Sequence, residues 1–97
     1  MEEFAELQKW YQDQCNDDWE HSFGISIDTL DNPGWHLSID LEDTDLEDKI
    51  FDAIEVDHES ENDWLVCKVN KKKFIGACAP LVLTKMIKTF VVWANGN

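Results

Sequence analysis

Hydrophobic and polar positions alternate most clearly between residues 23 and 41. Phe23, Ile25 and Ile27 fall on one side, Ser26 and Asp28 on the other. That period of two marks a strand with one buried and one wet face. Asn32-Pro33-Gly34 breaks the pattern with turn chemistry, because Pro fixes φ at the entry and Gly accepts a positive φ after it. Trp35, Leu37, Ile39 and Leu41 then resume the alternation. A hairpin follows, with strands at about 23–30 and 35–41. The apolar residues of both strands are odd-numbered, so one buried face excludes a plain two-residue turn. A three-residue loop or a bulge at Asn32-Pro33-Gly34 is required. In that register Ser26 opposes Asp40 and Asp28 opposes Ser38, giving an outer face of hydroxyls and carboxylates.

Around this hairpin the period changes. Residues 3–15 place Phe4, Leu7, Trp10 and Tyr11 at helical spacing, with Glu2, Glu3 and Glu6 near the positive end of the dipole. Asn16-Asp17-Asp18 is the stop. Ile50, Ile54 and Val56 suggest a third strand near 50–58, bulged around Phe51-Asp52-Ala53. Trp64 to Val69 is apolar on both faces and is expected to be a covered, central strand. Phe74 to Ala77 is expected to return as a short edge strand guarded by Lys71, Lys72 and Lys73. Pro80 suits the first position of a last helix, whose stripe is Leu83, Met86, Ile87, Phe90, Val91 and Ala94 and whose stop is Asn95-Gly96. The fold class is α+β: an antiparallel sheet of four to five strands flanked by an N-terminal and a C-terminal helix. At 97 residues it forms a single domain, 1–97.

Charge adds more than composition does. The formal net charge is −13, and arginine is absent. A direct nucleic-acid ligand is excluded on this ground, since phosphates need cations to neutralise them. Anionic membrane surfaces are disfavoured too. Residues 40–63 hold acids at nearly every second position against Lys49 alone, and from Trp64 onward there are lysines and no acids. A cationic protein surface is the partner such a distribution favours. Cys15, Cys67 and Cys78 show no disulfide spacing and read as reduced thiols. The acidic N-terminus lacks signal-peptide character, and the apolar tract from Pro80 to Ala94 is interrupted by Lys85 and Lys88. A cytoplasmic protein is expected.

Candidate chemistry is thin. Glu20, His21, Asp31 and His36 could form an acid/base set, but no nucleophile motif or phosphate loop accompanies them. His21, His36, His58 and the cysteines match no metal-ligand spacing. The acids from Asp43 fail the calcium-loop pattern, which needs Gly at position 48 and Glu at 54, where Asp and Ile stand. No cofactor and no metal is expected. Of the five tryptophans, Trp19 lies in the most polar surroundings and is expected to be partly exposed.

The run from Asp18-Trp19-Glu20-His21-Ser22-Phe23-Gly24-Ile25 to Asp31-Asn32-Pro33-Gly34-Trp35 resembles the signature of the immunity protein 53 family. The flanks agree: Leu7, Trp10-Tyr11 and Gln14-Cys15 before it, Asp63-Trp64-Leu65, Cys67-Lys68-Val69, Lys73-Phe74 and Gly76-Ala77 after it, then Phe90 and Trp93-Ala94. Ala79-Pro80 and Leu81-Val82-Leu83 stand where a more polar helix start is expected. The resemblance implies a bacterial immunity protein of a polymorphic toxin system, which binds a cognate toxin in the producing cell's cytoplasm and needs no catalysis. If that toxin is a nuclease, its basic cleft could take an acidic surface as a phosphate mimic.

Candidate partner-binding residues are Asp43, Asp45, Glu47, Asp48, Asp57 and Glu59, with Asp28 and Asp40 on the hairpin's wet face. The motif residues Trp19, Glu20, His21, Asp31, Asn32, Pro33, Gly34 and Trp35 could be structural or binding. Two other classes stay open. One is a small enzyme or ligand-binding domain, which needs a deep pocket at Glu20, His21, Asp31 and His36. The other is a homo-oligomeric module, which needs an apolar patch near Val82, Val92 or Trp93.

Overall fold

The computed structural model describes residues 2–56 and 62–96. Helix α1 spans Glu2–Gln14, a short α2 spans Trp19–Ser22, and α3 spans Leu83–Asn95. The strands are β1 (Ile25–Leu30), β2 (Gly34–Asp40), β3 (Ile54–Val56), β4 (Leu65–Asn70) and β5 (Lys73–Cys78). They form one antiparallel sheet in the order β1-β2-β5-β4-β3. The chain is therefore α+β, with α1 and α3 on one face of the sheet.

Period-two burial decides which face. Leu37, Ile39, Leu65, Cys67, Phe74 and Cys78 point to the helices and are buried, as are Met86, Ile87, Phe90 and Val91 from α3 and Leu7 from α1. Aromatic rings fill the centre in edge-to-face pairs, Trp10 on Phe90 at 5.1 Å and Phe74 on Phe90 at 5.1 Å. Each such pair adds about 1 kcal/mol beyond the area it buries.

The hairpin's phase is as expected, because odd residues of both strands share a face. Its register is not. Leu30 pairs with Gly34, so the three-residue loop is Asp31-Asn32-Pro33, and Ser26 faces Ser38 while Asp28 faces His36. The Asn32–Pro33 bond is cis and Gly34 has no positive φ. Gly34 belongs to β2 instead, where a Cβ would run into the carbonyl oxygen of Cys78 and come within 3.1 Å of the Trp64 ring. Close packing, rather than turn geometry, requires glycine there.

The expected edge strand is in fact the centre of the sheet: β5 pairs with β2 on one side and β4 on the other. The lysines that suggested an edge lie in the two-residue β4–β5 turn, where Lys71 and Lys72 have φ of 51° and 61°, or at its exit, as Lys73. Strand β4 lies next to the edge and is covered on one face only; Lys68 on its other face is exposed. The third strand is short because Phe51 leaves the strand path to pack on Phe74 at 5.1 Å and on Trp93 at 5.3 Å. Helix α3 begins at Leu83, not at Pro80. The Val82 N–H closes a turn onto Ala79, and the Pro80 carbonyl accepts the Trp35 Nε1–H at 2.9 Å.

Candidate functional site: an acidic end assembled from two segments

The connection from β2 to β3 crosses the sheet from its second strand to its far edge. Leu41 and Leu46 are buried pegs that hold it down. Thr44 tightens the turn between them: its hydroxyl donates to the Leu41 carbonyl at 2.7 Å and accepts the Leu46 N–H at 3.1 Å. With the apolar positions turned in, Glu42, Asp43, Asp45 and Asp48 are left exposed. The sequence pattern passed over Leu46 as a core residue, because acids on both sides mask it.

Trp19 brings a second acidic segment to the same place. Its ring is only 3% exposed, contrary to expectation, and lies edge-on to Trp10 and Tyr11 at 6.1 Å each. Its Nε1–H donates to the Glu42 carbonyl at 2.9 Å. The polar residues around it are local caps. Asn16 Oδ1 accepts the N–H groups of Asp18 and Trp19, while the Glu20 carboxylate accepts those of Asn16 and Asp17 at 2.9 and 3.0 Å. This reciprocal capping resembles a capping box. Asp17 and Asp18 are exposed, and Asp13 on α1 is exposed at a cleft shared with the 42–48 loop.

Between the two segments lies a polar cleft of about 430 Å³, lined by Trp10, Asp13, Gln14, Asn16, Asp43, Thr44, Asp45, Leu46, Ala94 and Asn95. Helices α1 and α3 both end here, neither with a basic residue in its last turn. The carbonyl end of α1 adds partial negative charge beside these carboxylates. Lys49, the lone lysine of the acidic run, is half-buried and engaged. Its Nζ donates to the carbonyls of Trp93 and Gly96 at 2.5 and 2.6 Å and lies 5.5 Å from the Trp93 ring centre. It caps α3.

The expected carboxylates divide into three groups. Asp43, Asp45 and Asp48 lie exposed at this end. Glu47 lies there too but is engaged: it accepts the Asp43 N–H at 3.1 Å and pairs with Lys72 at 3.4 Å, and these contacts, the amide first, lower its pKa. Asp40 is half-buried, accepting the Gly24 N–H at 3.0 Å and facing Lys73 at 3.6 Å. Asp28 is exposed on the helix-free face of the sheet, opposite His36. It lies four residues along β1 from the Gly24 end, about 13 Å, and so is not part of the cluster. Asp57, Glu59 and His58 lie outside the described residues. Asp13 was not anticipated, since nothing in the linear charge pattern joins it to a run that starts over twenty residues later.

The acid/base set does not come together. Glu20 and His21 precede β1 and Asp31 follows it, a strand's length of about 20 Å. The Glu20 carboxylate is held by backbone N–H groups, its own and that of Asn16 foremost, which lower its pKa. His36 sits in mid-strand on the helix-free face. Among the described residues, no group of three or more His, Cys, Asp or Glu has the geometry to hold a metal ion. Burial pushes the Cys67 and Cys78 thiols up to about 12 and about 11. Of the motif residues, Trp19, Glu20, Gly34 and Trp35 are structural in the ways described, and His21, Asp31, Asn32 and Pro33 are exposed.

No described helix is long and apolar enough to cross a membrane. No curated protein and no solved structure is significantly similar to the chain. The family model described as immunity protein 53 matches residues 4–95, nearly the whole length. The chain belongs to the immunity protein 53 family.

Proposed function

We propose that this protein neutralises a bacterial toxin by binding it, and that the acidic end is the surface that docks. Family membership supports the toxin partner. The observation that carries the surface is the convergence of Asp13 from α1 with Asp43 and Asp45 from the β2–β3 connection around one cleft. Like charges held this close repel one another, and a basic partner surface relieves that cost on binding. The partner is a toxin with a basic face, such as a nuclease whose substrate cleft is lined with cations. Inhibition is stoichiometric and uses no chemistry by this chain. Action in the cytoplasm and membership of a polymorphic toxin system belong to the same proposal.

The test is the triple variant Asp13→Lys, Asp43→Lys, Asp45→Lys against the cognate toxin. All three side chains are exposed, so the fold is expected to survive. Association at low salt should slow by at least about tenfold, and its dependence on ionic strength should weaken. Unchanged association kinetics at low salt would remove the acidic end from the interface. The triple variant Asp28→Lys, Asp31→Lys, Asp63→Lys, exposed and outside the cleft, changes the net charge equally and serves as the control.

A further inference from the structure

A second surface, chemically opposite to the acidic end, runs along the outer flank of α3. It is an open groove of about 830 Å³ lined by Glu3, Phe51, Ile54, Thr84, Lys85, Lys88, Thr89, Val92 and Trp93. Its floor is apolar: Phe51 and Ile54 from the β3 side, Val92 and Trp93 from the helix. Val92 is 60% exposed and Ile50, next to Phe51, is 84% exposed. One rim carries Lys85 and Lys88. Among the described residues Lys72 and Lys73 form ion pairs, whereas Lys85 and Lys88 form none.

The groove exists because the helical layer is narrower than the sheet. Five strands at about 4.8 Å spacing set their outer axes about 19 Å apart, whereas two packed helices set theirs only about 10 Å apart. Helix α3 lies over the central strand β5, with Met86 above Gly76 and Phe90 against Phe74. Helix α1 lies toward β1, where Leu7, Gln8 and Tyr11 meet Gly24 and Ile25. Among the described residues no helix covers β3, and α1 reaches the groove only through Glu3. On that side α3 presents Lys85, Lys88, Thr89 and Val92, at i, i+3, i+4 and i+7, the spacing by which one helix packs on another.

We infer that this groove receives an amphipathic helix of the bound protein, apolar on the face turned to Phe51, Ile54 and Val92 and bearing carboxylates one turn apart opposite Lys85 and Lys88. Charge complementarity selects this occupant. The charged residues that line the groove are Lys85, Lys88 and Glu3, so cations outnumber the one carboxylate there, and carboxylates set opposite the two lysines are favoured over a basic helix. A second copy of this chain is disfavoured because two molecules of net charge −13 repel over their whole surfaces. The inference rests on the toxin-binding reading for the source of the helix, and not for the chemistry of the groove. The two surfaces would let the protein hold a toxin at a basic site and at an acidic helix, which discriminates against partners that offer only one.

The experiment uses the full chain and a designed helical peptide of about 18 residues with leucines at i, i+4 and i+7 and glutamates on one flank. A second peptide carries lysine at every glutamate position. The acidic peptide should shift the amide NMR signals of Phe51, Ile54, Lys85, Lys88 and Val92, and the basic peptide should not. Lys85→Glu with Lys88→Glu, and separately Val92→Lys, should weaken the acidic peptide at least about tenfold. No shift at these residues, or equal binding of the basic peptide, overturns the inference. So does a dimer of the protein alone, seen by sedimentation, that Val92→Lys dissociates. With the cognate toxin, affinity unchanged in both variants overturns the groove while leaving neutralisation intact. Failure of the toxin to bind the unaltered protein counts against neutralisation and leaves the peptide result standing.

Discussion

Gly34 is fixed by space. Its backbone lies in the ordinary strand region, yet no side chain fits, because a Cβ would strike the Cys78 carbonyl on the neighbouring strand. Gly76 is crowded differently: there a Cβ would come within 2.6 Å of the Met86 sulfur, the flexible end of a side chain that can move. Gly34→Ala is therefore expected to cost more than Gly76→Ala, about 3 against about 1 kcal/mol. Urea unfolding of the two variants checks the order, and equal losses would show that Cys78 and its strand can shift. The sequence made Gly34 conspicuous but attached the wrong cause. A turn glycine and a close-approach glycine look alike until the partner strand is known.

Among the elements, α2 and the β2–β3 connection matter most, since together they make the acidic end. Each is closed by a carboxylate on backbone N–H groups: Glu20 on Asn16 and Asp17, Glu47 on Asp43. Both carboxylates sit below their ordinary value of 4.5. A pKa lowered by folding means a contribution that is present above about 4.5 and lost as pH falls through the folded values. Acidification is thus expected to open both turns. The amide NMR signals of Asn16, Asp17 and Asp43 should titrate with midpoints under 4.5, and Glu20→Gln should abolish the change at Asn16 and Asp17 alone. Midpoints at or above 4.5 would mean that the carboxylates do not hold these turns. The helices, the hairpin's phase and the number of strands were legible from periodicity and stop signals. The order of strands was not: β5 reads as an edge because lysines precede it, and only the pairing shows that they belong to a tight turn.

Across the whole molecule, charge is sorted in space more sharply than along the chain. Asp13, Asp43 and Asp45 share one cleft with two helix C-termini, while Lys85 and Lys88 edge the apolar groove. Lys49 links stability to this arrangement, because it caps α3 from within the acidic run. Lys49→Met should destabilise the fold by about 1–2 kcal/mol, the value of charge-assisted bonds at a partly exposed helix end. Toxin association should be no slower than for the unaltered protein, since removing the lysine makes the end more negative. Chemical unfolding and stopped-flow kinetics read the two effects separately. Slower association would place Lys49 on the docking surface instead of beneath it.

Residue order alone determined the α+β class, the family signature and the excess of acid, because periodicity, turn chemistry and charge are local or additive properties. Only the tertiary structure decided that Trp19 is an anchor, that Asp40 and Glu47 are engaged, and that Asp13 joins the 42–48 loop. The reason is a single buried contact over distance: the Trp19 Nε1–H on the Glu42 carbonyl ties segments that periodicity cannot relate. Likewise, the groove beside α3 follows from the unequal widths of the sheet and the helical layer, which no stretch of sequence carries by itself.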